Sequence, residues 1–307
     1  MQNILVSGGS GFIGYHLVKK LLHLDCKVTV IDNTTERNER YSFDPLGKKV
    51  VFYEEDTRDM EAVLDIVRHE EIDTCIHLAA KISVAESMRN PFETMDVNVN
   101  GTLSILNACA ANKVENFVFA SSAAVYGEPR SVPIPESHIL NPSSPYGASK
   151  VAGEALVTSF QNSGKIPNAI VLRFFNVFGP GQSSDYAGVI TRFADRLSRG
   201  LPPIIFGDGH QTRDFIHVDD IANAIIHAVK AKISGIYNLG TGIPLSLNDL
   251  ARMMAITFNL KIEPIHVDPQ PGDVRYSCAD ISEIRRVIPF SPMSLLQSMP
   301  SAPAGPA

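Results

Sequence analysis

Apolar runs and amphipathic segments alternate along the first half of the chain. Short, nearly all-apolar runs predict strands, and longer segments with apolar residues at helical spacing predict helices. Strands that are apolar on both faces, each followed by a helix, are typical of a parallel sheet that is covered on both sides. We therefore predict an α/β fold with a doubly wound parallel sheet. The predicted strands are 4–7, 27–31, 50–53, 74–78, 116–120 and 169–174, and the predicted helices are 12–24, 58–69, 91–111 and 145–163.

The second half of the chain has a different pattern. From Gly179 onward, turn sequences such as Gly179-Pro180-Gly181 separate shorter elements, because glycine and proline favour turns. This pattern predicts a smaller C-terminal lobe over the main sheet. Residues 289–307 include five prolines and several serines, and the last of them bury too little apolar area to offset the entropy of ordering. We expect a frayed or disordered tail over 289–307.

The composition is that of an ordinary globular chain. Of the 307 residues, 44% are hydrophobic and 20% are charged, and the formal net charge is -6. These values exclude a disordered or collagen-like protein, and the acidic balance argues against a nucleic-acid partner. The four cysteines form no CxxC pair, so we expect reduced thiols and no metal site. The sequence has neither an apolar run of ~18 residues nor a signal peptide, which predicts a cytoplasmic protein with no membrane partner.

A glycine-rich turn joins the first predicted strand to the first predicted helix. Gly9, Gly11 and Gly14 fit the pattern GxGxxG, and Gly8, Gly11 and Gly14 fit GxxGxxG. Glycines at these positions allow a tight turn and let backbone N–H groups approach a pyrophosphate at a helix N-terminus. The alternative is a glycine-rich turn without a ligand. The position of the glycine-rich turn between a strand and a helix favours a dinucleotide site on a Rossmann-type sheet.

Two carboxylates follow the next predicted strands. Asp32 ends the second strand, where a carboxylate accepts both ribose hydroxyls and repels a 2′-phosphate, so NAD is favoured over NADP. Arg37 is close enough to Asp32 in the sequence that NADP stays open as the alternative cofactor. Asp56 comes just after the third strand, where it could bind the adenine amino group or equally cap the next helix.

Tyr146 and Lys150 stand four residues apart on a predicted helix, so their side chains share a face. A tyrosine titrates near ~10, and use as a base near pH 7 requires a pKa lower by about three units, or ~4 kcal/mol. A lysine cation one turn away and a positive nicotinamide are groups that could lower it. Taken alone, the pair is better explained by an amphipathic helix surface. Ser121 and Ser122 follow the fifth strand, where their hydroxyls face the cleft or cap a loop.

Together these signals resemble the extended short-chain dehydrogenase/reductase family, and within it the UDP-sugar 4-epimerases of the UDP-glucose 4-epimerase type. The resemblance runs from Met1 to about Ile288. Its motifs are SGGSGFIG from Ser7, HLAA from His77, NVNGT from Asn98, SSAAVYG from Ser121, YGASK from Tyr146, LRFFNVFGPGQ from Leu172, RDFIHVDD from Arg213 and PGDVR from Pro271.

The resemblance implies a cofactor site, a catalytic set and a substrate site. NAD would be bound by Gly8, Gly11, Phe12, Ile13, Gly14, Asp32, Asn33, Asp56, Thr57, Leu78, Ala79, Ala80, Asn98, Tyr146 and Lys150. The catalytic residues would be Ser122, Tyr146 and Lys150, and the UDP-sugar would be bound by Ser122, Asn176, Val189, Arg213, Asp273 and Ser277. It also implies a homodimer. The cofactor domain would comprise 1–176 and about 212–240, and the substrate lobe 177–211 and 241–288.

The roles of these residues follow from the same resemblance. Tyr146 would take the proton of the sugar 4-hydroxyl as hydride passes from C4 to NAD, while Lys150 lowers the pKa of Tyr146 and Ser122 bonds O4. The transient 4-keto sugar would then turn over and take the hydride back. Asn176 and Arg213 would hold the diphosphate and Asp273 would lie near the uridine ribose. Ser277 would line the wall facing the sugar 2-substituent, and its small size predicts that N-acetyl forms are accepted as well as UDP-glucose and UDP-galactose.

Other functions stay open at this point. A nucleotide-sugar 4,6-dehydratase or 4-ketoreductase shares the fold, but dehydratases carry acid and base side chains where this chain has Ala123 and Ala124. A non-catalytic NAD-sensing protein would not need the proton-transfer set. The chain also departs from the family at Gln270, where an arginine is frequent, so one phosphate contact is lost unless Arg275 substitutes for it. Arg213 could instead pair with Asp214 or Asp219, and Tyr276 could fill the space beside Ser277.

Overall fold

Seven parallel strands form the main sheet of the computed structural model, which describes residues 2–24, 26–33, 50–182, 188–269 and 273–299. The strand order is β10-β6-β5-β4-β1-β2-β3, so the order reverses between β1 and β4. The described strands are β1 (Gln2–Ser7), β2 (Cys26–Asp32), β3 (Val50–Glu54), β4 (Thr74–His77), β5 (Asn116–Ser122), β6 (Asn168–Phe174), β7 (Asn176–Phe178), β8 (Ile204–Phe206), β9 (Thr212–His217), β10 (Gly235–Leu239), β11 (Pro244–Ser246) and β12 (Ile265–Val267).

Helices cover both faces of this sheet. Successive side chains of a strand point to opposite faces, so Ile4 and Val6 of β1 lie in one apolar core and Leu5 lies in the other. The first core contains α1 and α8, and the second contains α2, α5 and α6. The described helices are α1 (Phe12–Leu21), α2 (Met60–His69), α3 (Val84–Arg89), α4 (Pro91–Met95), α5 (Gly101–Ala111), α6 (Pro145–Asn162), α7 (Val189–Ser198), α8 (Val218–Ala231), α9 (Leu247–Thr257), α10 (Ser282–Val287) and α11 (Leu295–Ser298). The predicted doubly wound α/β fold is confirmed.

The long helix predicted over 91–111 is divided in the structure. It consists of α4, a π-helical segment over Asp96–Asn100, and α5. The separate helix α3 precedes it and was not predicted; it begins where the Ser83 side chain accepts a hydrogen bond from the backbone of Glu86. Asn90 caps α4 and is followed by Pro91, which has no N–H to donate and so suits the first position of a helix. The apolar spacing alone does not reveal this change of helical type.

The smaller lobe contains two short sheets and a core of its own. Its three-stranded sheet has the order β11-β9-β7, and β12 pairs with β8. The lobe core includes Phe193 and Met254, from α7 and α9. The segment around α10 packs in the first core of the main sheet, where Ile284 and Phe290 are buried. The exact division into two domains stays a prediction.

The C-terminal stretch is described as far as residue 299. Within it, the short helix α11 begins with a capping box at Ser294, and Leu295 packs against the core of the smaller lobe. Residues 300–307 of the predicted tail lie outside the described residues, as do Arg37 and Gln270. Within the described ranges, no helix combines the length and apolarity that a bilayer crossing requires.

Candidate active site

The candidate site lies at the carboxyl end of the main sheet. The strand order reverses between β1 and β4, and loops that leave such a point in opposite directions open a crevice between them. The glycine turn follows β1, residues 78–80 follow β4, and Ser122 ends β5. The topology therefore brings the predicted cofactor and catalytic residues to one edge of the sheet.

The glycine turn is packed too tightly for side chains. Gly8 has φ +73, and a Cβ there would lie 2.7 Å from the backbone nitrogen of Ala79. A Cβ on Gly14 would overlap the carbonyl oxygen of Gly8. The helix α1 begins directly after this turn, with Gly11 at its N-cap and no acidic residue in its first turn. A helix start with free backbone N–H groups and close backbone approach is suited to a pyrophosphate.

Asp32 is held beside the glycine turn. Its carboxylate accepts a hydrogen bond of 2.9 Å from the backbone nitrogen of Ser10, and the residue is 8% exposed. Asn33 follows it and is exposed. The structure thus places the predicted ribose-binding carboxylate against the predicted pyrophosphate-binding loop.

Asp56 is tied to Arg58 in the loop after β3. The carboxylate accepts hydrogen bonds from the Arg58 backbone nitrogen at 2.9 Å and from its Nη2 at 2.6 Å. The bond with Arg58 and the positive charge of that residue lower the pKa of Asp56, although burial opposes this. The alternative that Asp56 caps the next helix is wrong, because the Asp59 side chain caps α2 by accepting from Ala62. Thr57 is buried against Gly101.

Asn98 connects the segment after β4 to the helix α6. Its Oδ1 accepts a hydrogen bond of 2.7 Å from the Lys81 backbone nitrogen, and its Nδ2 donates to the Lys81 carbonyl and to Ser149 Oγ. Leu78, three residues before Lys81, donates a hydrogen bond of 3.0 Å from its backbone nitrogen to the carbonyl oxygen of Ser7. Asn98 therefore fixes the loop that carries residues 78–80 against the helix that carries Tyr146 and Lys150, two of the predicted catalytic residues.

The Ser122 side chain lies close enough to the Tyr146 phenol to interact with it. The helix α6 that carries Tyr146 begins where Ser144 accepts a hydrogen bond from Gly147, with Pro145 at its first position. One turn further along, the buried Lys150 donates from Nζ to the carbonyl oxygen of Ala120 at 2.8 Å. This Nζ lies 6.0 Å from the centre of the Tyr146 ring. The structure therefore brings all three predicted catalytic side chains together.

The protonation of this set is governed by burial. Burial raises the pKa of the Tyr146 phenol, and the hydrogen bond with Ser122 opposes that rise. Burial also lowers the pKa of Lys150 to about 8, which the negative charge of Glu154 opposes. A lowered pKa for Tyr146 was expected from the resemblance. The structure differs, because desolvation of the phenolate outweighs the bond that stabilises it.

The predicted diphosphate and ribose residues of the smaller lobe pair with each other. Arg213 on β9 forms an ion pair with Asp273 and donates to the carbonyl oxygen of Thr212 at 2.7 Å. The alternative that Arg213 pairs with Asp214 or Asp219 is therefore wrong. Asn176 lies opposite Phe215 in the register of β7 and β9, which places its side chain on the same face as that of Arg213. Asn176 is exposed at this edge.

Ser277 is buried beside the same strand. It is 6% exposed, and its backbone donates to the carbonyl oxygen of Thr212 at 3.1 Å. Val189 is the first residue of α7 and packs against the core of the lobe. Arg275, which could have replaced a cation at position 270, holds the carboxylate of Asp208 with contacts of 2.6 and 2.9 Å. Its guanidinium lies 5.9 Å from the ring centre of the exposed Tyr276.

Comparison with known proteins decides the family. Residues 4–240 match the NAD dependent epimerase/dehydratase family. The chain belongs to this family. UDP-glucose 4-epimerase of Neisseria meningitidis serogroup A is 35% identical over 312 residues, which cover 92% of this chain and 90% of that protein. The enzyme is therefore an isomerase of the UDP-sugar 4-epimerase group, and the predicted family and NAD dependence are confirmed.

Solved epimerase structures share the whole fold. UDP-glucose 4-epimerase of Thermotoga maritima, solved with UDP-glucose, is 34% identical with a TM-score of 0.90, and the match covers 97% of this chain and 96% of that one. UDP-N-acetylglucosamine 4-epimerase of Methanobrevibacter ruminantium, solved with UDP-N-acetylmuramic acid, is 36% identical with a TM-score of 0.89. This match covers 95% of this chain and 93% of that one. The chain is thus about equally similar to family members named for different sugars.

Two buried polar groups of this family member were not predicted as site residues. His77 ends β4, where its Nδ1 lies 2.6 Å from Ser7 Oγ and its Nε2 lies 3.0 Å from Thr102 Oγ1. Burial, and then the charge of Lys150, lower the pKa of His77 to about 3. Glu154 on α6 forms a buried ion pair with Arg173. The spacing of Glu154 four residues after Lys150 is the signal in the sequence that could have identified it.

Proposed function

We propose that this chain is a 4-epimerase that interconverts UDP-glucose with UDP-galactose and also accepts their N-acetyl forms. The observation that carries the proposal is the contact of Ser122 with Tyr146, one helical turn from Lys150, at the edge of the sheet that holds the glycine turn. A tyrosine, a serine and a lysine form a set that moves a proton at a sugar hydroxyl.

The cofactor fits the residues that are present. The turn at Gly8 and Gly14 leaves room for a ligand only along the backbone, and Asp32 stands beside it as an acceptor for ribose hydroxyls. NAD, when bound, supplies the hydride acceptor for C4 of the sugar and a positive charge near Tyr146. Arg213 and Asp273 lie together in the smaller lobe, where they would bind the UDP moiety once a diphosphate competes for the guanidinium.

The chain's own residues would then act on the 4-hydroxyl group. Ser122 donates a hydrogen bond that orients the sugar oxygen, and the Tyr146 oxygen takes its proton. Burial favours the protonated phenol of Tyr146, so the phenolate from which Tyr146 starts would depend on the Lys150 cation one turn away and on the positive charge that NAD supplies when bound. In the return step, Tyr146 gives the proton back to the same oxygen after the sugar has presented its other face. Each residue ends the cycle in the state in which it began it.

The experiment is incubation of the purified protein with UDP-glucose, UDP-galactose, UDP-GlcNAc or UDP-GalNAc without added coenzyme. We expect proton NMR to show conversion to the 4-epimer with unchanged mass, and conversion by Tyr146→Phe to be at least a hundredfold slower. A product lighter by one water identifies a dehydratase, and stoichiometric use of added NADH identifies a ketoreductase. Either product would overturn the proposal. The short turn over Ala123–Val125 carries no acid or base side chain for elimination, which favours epimerisation.

A second copy of this chain is the proposed partner. Large apolar side chains are exposed along α3 and α4, where Met88 is 61% and Phe92 is 88% exposed. Val84 stands one turn before Met88, and Met95 follows Phe92 on α4; both are exposed. Clustered exposed apolar side chains are typical of protein interfaces. These helices pack against α6, so a dimer through this surface would cover the helix layer that carries the catalytic residues.

A further inference from the structure

A buried ion pair lies behind the catalytic lysine. The Glu154 carboxylate on α6 accepts from Arg173 Nε at 2.9 Å and from Nη2 at 2.6 Å, in a two-point contact with β6. Glu154 and Arg173 are 3% and 2% exposed. The same carboxylate accepts a hydrogen bond from the hydroxyl of Ser121, which precedes the catalytic Ser122. A buried charge is tolerated when it is paired and hydrogen-bonded in this way.

The arginine is held in turn by a network that leaves it little freedom. Arg173 Nη1 donates to the Tyr126 hydroxyl at 2.8 Å and to the carbonyl oxygen of Glu136 at 2.9 Å. The Tyr126 hydroxyl donates to Asn238 Oδ1 at 2.6 Å, and Asn238 Nδ2 donates to the carbonyl oxygen of Ile134. Since every member of this chain of contacts has a partner, the Glu154 carboxylate has a fixed position.

Glu154 is placed to act on Lys150. Tyr146, Lys150 and Glu154 follow each other at intervals of four residues on α6, so their side chains share one face of the helix. Lys150 is 4% exposed and its ammonium has the carbonyl oxygen of Ala120 as an acceptor. Burial disfavours the charged form of a lysine, whereas a nearby carboxylate favours it. These opposing effects both act on the pKa of Lys150, which lies at about 8.

Among the residues that the structure describes, the other ionisable groups around α6 do not replace Glu154. From β4, His77 is neutral near pH 7, because its pKa is about 3 as a result of burial and of Lys150. From β6, Arg173 is itself a cation and so cannot stabilise the positive charge of Lys150. The strand β5, all of which is described, carries no ionisable side chain, and Cys109 on α5 is a buried thiol. The charged residues of α3, α4 and the π segment are in other ion pairs, namely Glu86 with Arg89, Glu93 with Lys81, and Asp96 with Arg58.

We propose that Glu154, fixed by Arg173, is a positioning residue that keeps the Lys150 side chain cationic beside Tyr146. The proposal rests on the proposed function for the roles of Lys150 and Tyr146. The proposal gives the direction of the change: without the carboxylate, Lys150 loses its proton at lower pH, because burial then acts against the cation with no negative charge to oppose it. The alkaline limit of turnover moves to lower pH with it.

The test compares Glu154→Gln with the wild-type protein in two measurements. The first is the pH dependence of kcat for UDP-sugar epimerisation. The second is the titration of Lys150 itself, followed by NMR of protein labelled with 13C at lysine Cε, with Lys150→Met to assign the signal. We expect both midpoints to fall by about one pH unit in Glu154→Gln. Glu154→Asp retains the charge and is expected to restore most of the wild-type midpoint.

Glu70 provides a matched control. It is also a buried carboxylate with a cationic partner, since Lys27 Nζ lies 2.7 Å away and the Tyr53 hydroxyl donates to it at 2.7 Å. Lys27 is in the first part of β2, at the end of the sheet opposite the candidate site. Glu70→Gln is expected to reduce stability while leaving both midpoints in place.

Three results would overturn the proposal. These are a Lys150 midpoint that is unchanged in Glu154→Gln, an equal change in Glu70→Gln, or a change in Glu154→Asp as large as in Glu154→Gln. If Glu154→Gln does not fold, the double variant Glu154→Gln/Arg173→Gln removes both buried charges. We expect the Lys150 midpoint of this variant to fall by less than one pH unit, and a midpoint that does not fall would count against the proposal. The NMR titration needs no turnover. A protein that shows the shift but converts no UDP-sugar would refute the proposed function alone.

Discussion

The Asp32 carboxylate at the end of β2 accepts a hydrogen bond of 2.9 Å from the backbone nitrogen of Ser10 in the glycine turn. This contact fixes a negative charge at the entrance of the predicted adenosine site. A fixed carboxylate binds ribose hydroxyls and repels a 2′-phosphate. We therefore expect the preference for NAD over NADP to depend on Asp32, whose position is held by the glycine turn that is predicted to bind the pyrophosphate.

The first prediction concerns the bound cofactor. Denatured protein is expected to release NAD and no NADP, measured by chromatography of the supernatant. Asp32→Asn removes the charged acceptor and is expected to weaken NAD binding about tenfold or more, because a hydrogen bond to a charged group contributes about 1.5–3 kcal/mol. Asp59→Asn is the control, since asparagine also caps a helix and α2 keeps its cap. Release of NADP from the wild-type protein would contradict this interpretation of Asp32.

The second prediction concerns Tyr146. Tyr146→Phe is expected to retain NAD and UDP-sugar but to lose at least two orders of magnitude in kcat, because the proton acceptor is gone. Tyr53→Phe also removes a tyrosine hydroxyl, one that donates to Glu70 at 2.7 Å on another part of the sheet, and it is expected to keep kcat. Turnover is measured by NMR and ligand binding by calorimetry. Near-normal kcat in Tyr146→Phe would refute the proposed role.

The sequence was sufficient to predict the sheet and to name three side chains that the structure brings together, Ser122, Tyr146 and Lys150. Apolar runs separated by helices indicate a parallel order of strands, whereas the roles of the three side chains were implied by the family resemblance and not by their spacing alone. The sequence was not sufficient to predict pairs that form only on folding. Arg213 and Asp273 are sixty residues apart and Glu154 and Arg173 are nineteen apart, and no local pattern joins them. The rise in the pKa of Tyr146 was missed for the same reason, since it depends on how deeply tertiary packing buries the ring.

The third prediction concerns pH and His77. The pKa of this histidine in the folded protein, about 3, lies well below the ordinary value of 6.5. Between these two values the unfolded chain binds a proton that the folded chain does not, so stability must fall as pH decreases from about 6.5 toward 3. Urea unfolding at pH 7.5, 6 and 5 is expected to show this fall. His77→Asn is expected to be less stable at pH 7.5, having lost contacts with Ser7 and Thr102, but to depend less on pH.

His23→Asn, at an exposed position, is the control for that series. It is expected to reproduce both the wild-type stability and its pH dependence. If His77→Asn kept the full dependence on pH, the effect would have to come from other groups.

The fourth prediction concerns the proposed dimer. Phe92 is the most exposed large apolar residue of α4, at 88%, and a charge there would be buried on association without a partner. Phe92→Asp is expected to give a monomer by light scattering coupled to size exclusion. Ile256→Asp is the control, because Ile256 is 74% exposed on α9 of the other lobe, and it is expected to remain dimeric. A wild-type monomer, or the same shift in both variants, would exclude this surface as the interface.

The fifth prediction concerns the sugar 2-substituent. Ser277 is a small, buried side chain whose backbone is held by Thr212 of β9, the strand that also carries Arg213. If this wall faces the sugar, its small size leaves space for an acetamido group, whereas a tyrosine would fill that space. Overpacking of a closely packed wall costs about 1–3 kcal/mol or more, which corresponds to a roughly tenfold to hundredfold loss in kcat/KM. We expect kcat/KM for UDP-GlcNAc to approach that for UDP-glucose, and Ser277→Tyr to reduce the first much more than the second.

The neighbouring Tyr276 is the competing explanation, since it could fill the same space. It is 46% exposed, with the Arg275 guanidinium near its ring and Asp208 holding that guanidinium in place. A side chain directed toward these surface groups leaves the space beside Ser277 open. Tyr276→Ala is therefore expected to leave the ratio of the two kcat/KM values unchanged, as is Ser291→Tyr at an exposed position. If the ratio changes in Tyr276→Ala and not in Ser277→Tyr, then Tyr276, and not Ser277, determines whether the acetamido group is accepted.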